Sequence, residues 1–178
     1  MSDAGVGTLE TPRLLLRPLV PGDLDRLTEI WTDPEVSRLL LTRPRSRAGV
    51  EEKLGAMIEH GRQFGMWAVA LRATGELIGR CGFYPYAGGL SDAPEPELAF
   101  LLARAHWGVG LASEAARAAL DALFRRRARP ARAIALVRPE HAASRRVLHK
   151  LGMREQGLVV VNGAEAALYA ISAEGREP

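Results

Sequence analysis

The chain has 178 residues, of which 47% are hydrophobic and 25% charged, with a formal net charge of +3. That length suits one domain with a sizeable core, and the charge excess is too small to argue for nucleic-acid binding, which wants a clustered basic stripe with aromatic platforms. No apolar run approaches the roughly 18 residues of a membrane helix and no basic-then-apolar leader opens the chain.

One cysteine, Cys81, allows no intramolecular disulfide, so a cytoplasmic location is expected and Cys81 itself reads as a small buried apolar residue. A single domain is expected over residues 8–173. Residues 1–7 and 174–178 are expected to be flexible termini.

Arg13 to Leu19 reads as the first strand, with Pro18 at its end. Pro21-Gly22-Asp23 is a turn, and Asp23 is a candidate N-cap. Leu24, Leu27, Ile30 and Trp31 recur at helical spacing behind it. Asp33-Pro34 starts a short helix toward Leu41, and Thr42 to Arg47 is a connector. Ser46 or a neighbour caps a third helix with Val50, Leu54, Met57 and Ile58 on one face.

Met66 to Arg72 alternates as a strand. Thr74-Gly75 turns the chain into a returning strand, Leu77 to Tyr84, where Gly79 and Gly82 suggest bulges or close backbone approach. Pro85 to Pro96 reads as a flexible loop. Glu97 to Leu102 is a buried strand, and Ala115 to Phe124 is helical in period, with Ala116, Leu120, Leu123 and Phe124 inward. Ala131 to Val137 is a strand, and His141 to Leu151 is a helix closed by Gly152. Two final strands flank Asn162-Gly163, the strongest short hairpin signal. The order predicts an α/β fold with a mixed twisted sheet of about seven strands and helices on both faces.

His106-Trp107-Gly108-Val109-Gly110-Leu111-Ala112-Ser113-Glu114-Ala115 therefore lies in a strand-to-helix turn. The first helical turn leaves its N–H groups free, and the helix dipole adds partial positive charge, so the turn suits an anion. Taken alone, Gly-x-Gly is equally a tight turn that needs glycine for its dihedrals. It is neither a Walker loop, which needs a following lysine, nor a dinucleotide fingerprint, since Ser113 stands at the third glycine position.

The stretch from Val137 to Met153 adds the second motif. With it the chain resembles the GCN5-related N-acetyltransferases, and within them the ribosomal-protein-alanine type (RimJ/RimL). The branch signature Trp-Gly-x-Gly-x-Ala-Ser/Thr-Glu-Ala is matched from Trp107 to Ala115. The Asn-x-x-Ser pattern appears with His141 for Asn and Ser144 in place, and the following Leu-Gly-Phe appears with Met153 for Phe.

The resemblance implies acetyl-CoA as co-substrate, no metal, and a splay between the strands at 97–102 and 131–137 that admits the pantetheine arm. It implies cofactor contacts from Phe100, Leu101, Leu102, Trp107, Gly108, Val109, Gly110, Leu111, Ala112, Ser113 and Ser144. His141 replaces the family Asn, so it is open between binding the cofactor, capping the helix and titrating. The run Arg125-Arg126-Arg127 reads as a solvated helix end, or alternatively as a contact to the 3′-phosphate of coenzyme A.

Acetyl transfer to an amine needs a base, a donor for developing charge, and in-line reactants. Glu97 stands where the resembled family has a strand-start Glu and is the candidate base, against a solvated glutamate. Asp92 and Glu95 are weaker alternatives. Ser144 is the candidate thiolate donor, against a helix-end serine bonded to the backbone; Leu148 occupies the position of the tyrosine that many relatives use. The expected acceptor is a peptide N-terminal amine. A small amine such as an antibiotic, polyamine or amino acid is the alternative, and a non-catalytic acyl-CoA-binding module the third. Monomer and homodimer are both compatible.

Overall fold

The computed structural model describes residues 6–44, 46–88 and 93–174. Its strands are β1 (Leu9–Glu10), β2 (Leu14–Pro18), β3 (Met66–Leu71), β4 (Leu77–Tyr86), β5 (Glu95–Leu102), β6 (Arg132–Val137), β7 (Arg154–Val161) and β8 (Ala164–Ser172). Its helices are α1 (Leu24–Thr32), α2 (Pro34–Ser37), α3 (Arg47–Phe64), α4 (Leu111–Phe124) and α5 (Ala142–Lys150). The expectations for residues 1–5 and 175–178, and for Asp92, lie outside the described residues.

The eight strands form one sheet in the order β1-β2-β3-β4-β5-β6-β8-β7. Neighbours are antiparallel except β5 and β6, which run parallel and pair only at Glu97 and Ile134. Past that point β5 has no strand partner on its β6 side, which is the expected splay. The sheet exceeds the expected seven strands by β1, whose two residues pair with β2 and are too short to leave a period in the sequence.

The α/β reading holds, with α1 and α3 on one face and α4 and α5 on the other. Leu27, Ile30 and Trp31 of α1 pack with Leu54 and Met57 of α3, Ala68 of β3 and Leu101 of β5. Ala116, Leu120 and Leu123 of α4 pack with Leu148 of α5, Leu98 and Leu102 of β5, and Tyr169 of β8. The period-two alternation of β5 thus sends Leu98, Phe100 and Leu102 to the α4 side and Leu101 to the α1–α3 side.

Several local readings shift. Asp23 stands at the N-cap position of α1, but its carboxylate makes no cap bond. It is buried and accepts from the Arg17 guanidinium at 2.6 and 2.9 Å and from the Val20 N–H at 3.0 Å. The loop expected over 85–96 is shorter, because β4 runs on to Tyr86 and β5 starts at Glu95, with Pro85 paired to Pro96. Prolines hid this extension, since they read as loop residues in a sequence.

Other signals hold. Ser46 accepts from Gly49 N–H and caps α3, and Asp33 caps α2 through Glu35 N–H. Cys81 is fully buried, and burial pushes its thiol up to about 12. The register of β3 and β4 shifts between Val69 and Ala70, next to Gly79. A Cβ at Gly79 would lie 2.0 Å from the Leu101 carbonyl oxygen, so glycine there is required by close backbone approach.

Candidate active site

Between β5 and α4 the chain makes one tight turn, Arg104–His106, and then the glycine turn. Trp107 is 39% exposed, yet its Nε1 donates to the Leu102 carbonyl at 2.8 Å. That bond fastens the turn to the end of the strand. Gly108 and Gly110 have φ of +78° and +85°, the left-handed region, and Gly110 is the residue from which α4 starts. The backbone N–H groups of Leu111, Ala112 and Ser113 have no protein acceptor among the described residues. An anion would find three oriented donors and the positive end of α4 there.

Glu114, the acid of the Trp-to-Ala signature, does not face this site. Its Oε1 accepts from Thr11 Oγ1 at 2.6 Å and from Arg13 N–H at 2.9 Å, and its Oε2 from Arg13 Nε at 2.7 Å. Arg13 Nη1 in turn donates to the Val109 carbonyl at 2.9 Å. Burial pushes the Glu114 carboxyl up, but the hydrogen bonds from Thr11 and Arg13 outweigh it and hold the group below its usual range. This clamp joins the start of β2 to the glycine turn. Sequence reading missed it because the partners are about a hundred positions apart.

A cleft of about 900 Å³ opens between the turn, the splayed ends of β5 and β6, and the start of α5. Glu97, Phe100, Leu101, Leu102, Trp107, Gly108, Gly110, Leu111, Ala112, Ser113, His141 and Ser144 all line it. Val109 does not line it; it is 59% exposed and serves the turn through its carbonyl alone. Arg125 to Arg127 lie past the far end of α4, roughly 20 Å from the glycine turn at 1.5 Å per residue. That distance tells against a contact to the 3′-phosphate; Arg125 and Arg127 are exposed, while Arg126 is half-buried and its Nη1 donates to the Gln63 carbonyl at the end of α3.

Glu97 sits where β5 and β6 part. Burial pushes its carboxyl up to about 7, against the nearby cations Arg80 and Lys53, which pull it down. A carboxyl half-ionised near neutral pH suits a general base. Glu95 is instead buried in an ion pair with Arg132, which accounts for its charge and removes it as an alternative.

His141 caps α5. Its Nδ1 accepts from Ser144 N–H at 3.4 Å and its Nε2 lies 3.0 Å from Ser144 Oγ. A backbone N–H can only donate, so Nδ1 is the bare nitrogen and Nε2 carries the proton. Nε2–H therefore donates to Ser144 Oγ, and the serine keeps its own proton to donate elsewhere. Burial, with Arg38 nearby, lowers the His141 pKa and keeps the ring neutral. Leu148, one turn on, is buried and offers no donor.

The opposite wall comes from the α1–α3 side, where the sequence marks no acceptor residue. It contains Trp31, Lys53, Arg80 and Tyr84. The Arg80 guanidinium lies 5.6 Å from the centroid of the Trp31 ring and 5.3 Å from that of Tyr84. The available signal was a lone arginine inside the apolar strand Leu77–Tyr86. Among the described residues no group of three or more His, Cys, Asp or Glu side chains could hold a metal ion, and no helix is long and apolar enough to cross a membrane.

Residues 13–154 match the family model described as an acetyltransferase (GNAT) domain. The chain is 32% identical over 155 residues to an uncharacterized N-acetyltransferase, p20, of Bacillus licheniformis, covering 85% of each chain. Two solved structures of low identity share the fold. The aminoglycoside acetyltransferase AAC(6′)-Ib in complex with coenzyme A superposes with a TM-score of 0.76 at 21% identity, over 90% of this chain and 95% of that one. RimL, the ribosomal L7/L12 alpha-N-protein acetyltransferase in complex with coenzyme A, gives 0.72 at 17% identity, over 93% and 97%.

Proposed function

Because the chain belongs to the GNAT acetyltransferase family, we propose that it carries an acetyl group from acetyl-CoA to a primary amine by direct attack in a ternary complex, with a peptide N-terminus as the acceptor. The observation that carries the reading is the half-buried Glu97 carboxyl at the splay, in the same cleft as the free N–H groups of the glycine turn.

The residues fit the co-substrate. The N–H groups of Leu111, Ala112 and Ser113 lack acceptors and suit a pyrophosphate, and the β6-facing edge of β5 is free to pair with an extended amide-bearing arm. Coenzyme A complexes of two proteins with this fold support the same assignment. When bound, acetyl-CoA supplies the activated acyl group and a thiolate leaving group.

The chain's own residues then divide the work. Glu97 Oε accepts the proton that the amine must lose to attack. Arg80 and Lys53 stand beside it as cations, so an acceptor binds more readily as neutral amine than as ammonium. Burial and Arg80 also lower the Lys53 pKa. Ser144 Oγ–H, with His141 bonded to its oxygen, holds a proton available to departing sulfur. Leu101 and Trp31 line the cleft between and limit water.

Thiol release from acetyl-CoA across a panel of peptides and small amines tests the reading. Peptides with a free N-terminus are expected to release thiol, and their N-acetylated forms are not. Absence of thiol release with every amine in the panel would leave an acyl-CoA-binding module as the reading.

Ser144→Ala should lower kcat by about tenfold to a hundredfold, as for one lost transition-state hydrogen bond, while KM for acetyl-CoA changes little. A fall in melting temperature with kcat unchanged would make Ser144 a helix-end residue only. His141→Ala removes the group that fixes the serine rotamer and is expected to give a smaller loss of kcat in the same direction.

A further inference from the structure

Arg80 is the least explained charge in the molecule. Its residue is 7% exposed, and its Nε and Nη1 have no hydrogen-bond partner among the described residues. The Tyr84 hydroxyl beside it is likewise buried without a partner. Among the described residues no carboxylate lies within ion-pair distance of the guanidinium. Two aromatic faces, Trp31 and Tyr84, hold the cation in place but offer its N–H groups nothing to donate to.

Buried polar groups are nearly always satisfied, and a buried unpaired charge is expensive. Three unused atoms that can all donate, gathered at one wall of the cleft, ask for an acceptor of negative charge. A polycationic ligand would be repelled there. Lys53 adds a second cation, and its Nζ is held by Thr42 Oγ1 at 3.0 Å.

The register fixes where that acceptor stands. Tyr84 is the direct cross-strand partner of Glu97, and Arg80 is that of Leu101. Directly opposed residues on neighbouring strands share a sheet face with Cβ atoms about 5 Å apart. Gly82, between Arg80 and Tyr84 on that face, carries no side chain, and the guanidinium reaches back toward the Tyr84 ring. The cation therefore stands a short distance from the carboxyl that receives the amine proton.

We infer that the acceptor carries its own carboxylate a few bonds from the reacting amine, and that Arg80 and Tyr84 bind that carboxylate while Glu97 faces the nitrogen. This rests on the acetyltransferase reading above and narrows its primary amine to one that carries an anion, and the first of its two sources is an acceptor other than a peptide N-terminus. The same chemistry has two sources: the α-carboxylate of a free amino acid, or an acidic side chain near the start of a peptide.

The test pairs each anionic acceptor with its neutral isostere, using thiol release from acetyl-CoA. One arm compares free amino acids with their amides. The other compares peptides bearing Asp or Glu at the second position with the same peptides bearing Asn or Gln. In at least one arm the carboxylate form is expected to exceed its isostere in kcat/KM by tenfold or more, and the arm that responds identifies the source. Arg80→Gln should erase that ratio, because the carboxylate forms lose tenfold or more beyond whatever both forms lose when the cation beside Glu97 is removed.

Equal turnover of isosteres in both arms, or a carboxylate preference that survives Arg80→Gln, would overturn the inference and leave the acetyltransferase reading intact. A binding measurement covers the case in which no panel member turns over. In wild-type protein saturated with coenzyme A, N-acetyl amino acids or N-acetyl acidic peptides should raise the melting temperature more than their amides, and this difference should vanish in Arg80→Gln. No carboxylate-dependent shift in either series would overturn the anion site whatever the panel shows.

Discussion

Replacing Glu97 by Gln is expected to lower turnover about a hundredfold or more at neutral pH. Gln keeps the shape of the side chain at the mouth of the splay but cannot take a proton. Coenzyme A binding should be nearly unchanged, because Glu97 shares the α1–α3 face of the sheet with Tyr84, while the anion site lies at the start of α4 on the other face. Raising the pH should partly rescue the variant, since more amine is then already neutral.

The same substitution has a stability signature of known sign. The wild-type carboxyl is raised from 4.5 to about 7 by burial, so the folded state holds its proton more tightly than the unfolded state. Wild-type stability is therefore lost as pH rises from about 4.5 through about 7 and stays lost above it. Gln does not titrate. Glu97→Gln should melt higher than wild type at pH 8, and that advantage should shrink to nothing as the pH falls toward 4.5. A variant less stable at pH 8 would mean that Arg80 and Lys53 depend on the carboxylate more than burial opposes it.

Gly110→Val is expected to abolish the rise in melting temperature that millimolar coenzyme A gives the wild-type protein. The cause lies in the backbone. At φ +85° a β-branched residue is strained, by about 1–3 kcal/mol, and the strain falls on the residue from which α4 starts. A Cβ there points at Arg13 Nη2 from 3.5 Å, so the added methyl groups press on the clamp that holds the turn through Glu114 and Val109. The free N–H groups lose their common direction, and the anion site goes with them. Gly108→Ala is the milder control: its φ is +78°, but a Cβ there meets nothing within 4 Å. A Gly110→Val protein that keeps the full coenzyme A shift would remove the turn from the binding site.

Much of this was legible in the sequence because local physics wrote it there. The Asn162-Gly163 turn between β7 and β8 has φ of +50° and +77°, as an Asn-Gly hairpin demands. Gly152 ends α5 at φ +83°. The glycine turn stands between a buried strand and an alanine-rich helix, where the pattern puts it.

What stayed hidden was fixed by distant partners. Asp23 has the look of a helix cap, but Arg17 and the Val20 N–H claim it first. Glu114 looked like part of a cofactor signature and is a clamp on Thr11 and Arg13. Arg80 stands unmarked in the sequence between two glycines, because only the packing of α1 and the register of β4 on β5 set it between Trp31 and Tyr84 and one strand from Glu97. His141 and Ser144 both stand out in the sequence, but their bond, and with it the tautomer, is set by the geometry of the first turn of α5.

The central claim is that Glu97 is the base of an amine acetylation. It is tested most directly by kcat/KM for one acceptor amine, measured as thiol release from pH 5.5 to 9 in wild type and in Glu97→Gln. The wild-type profile should rise through an apparent pKa near 7, where burial places the Glu97 carboxyl, and that inflection should be missing from the variant, leaving only the titration of the amine. The same profile in both proteins, with the inflection near 7 intact in Glu97→Gln, would contradict the claim.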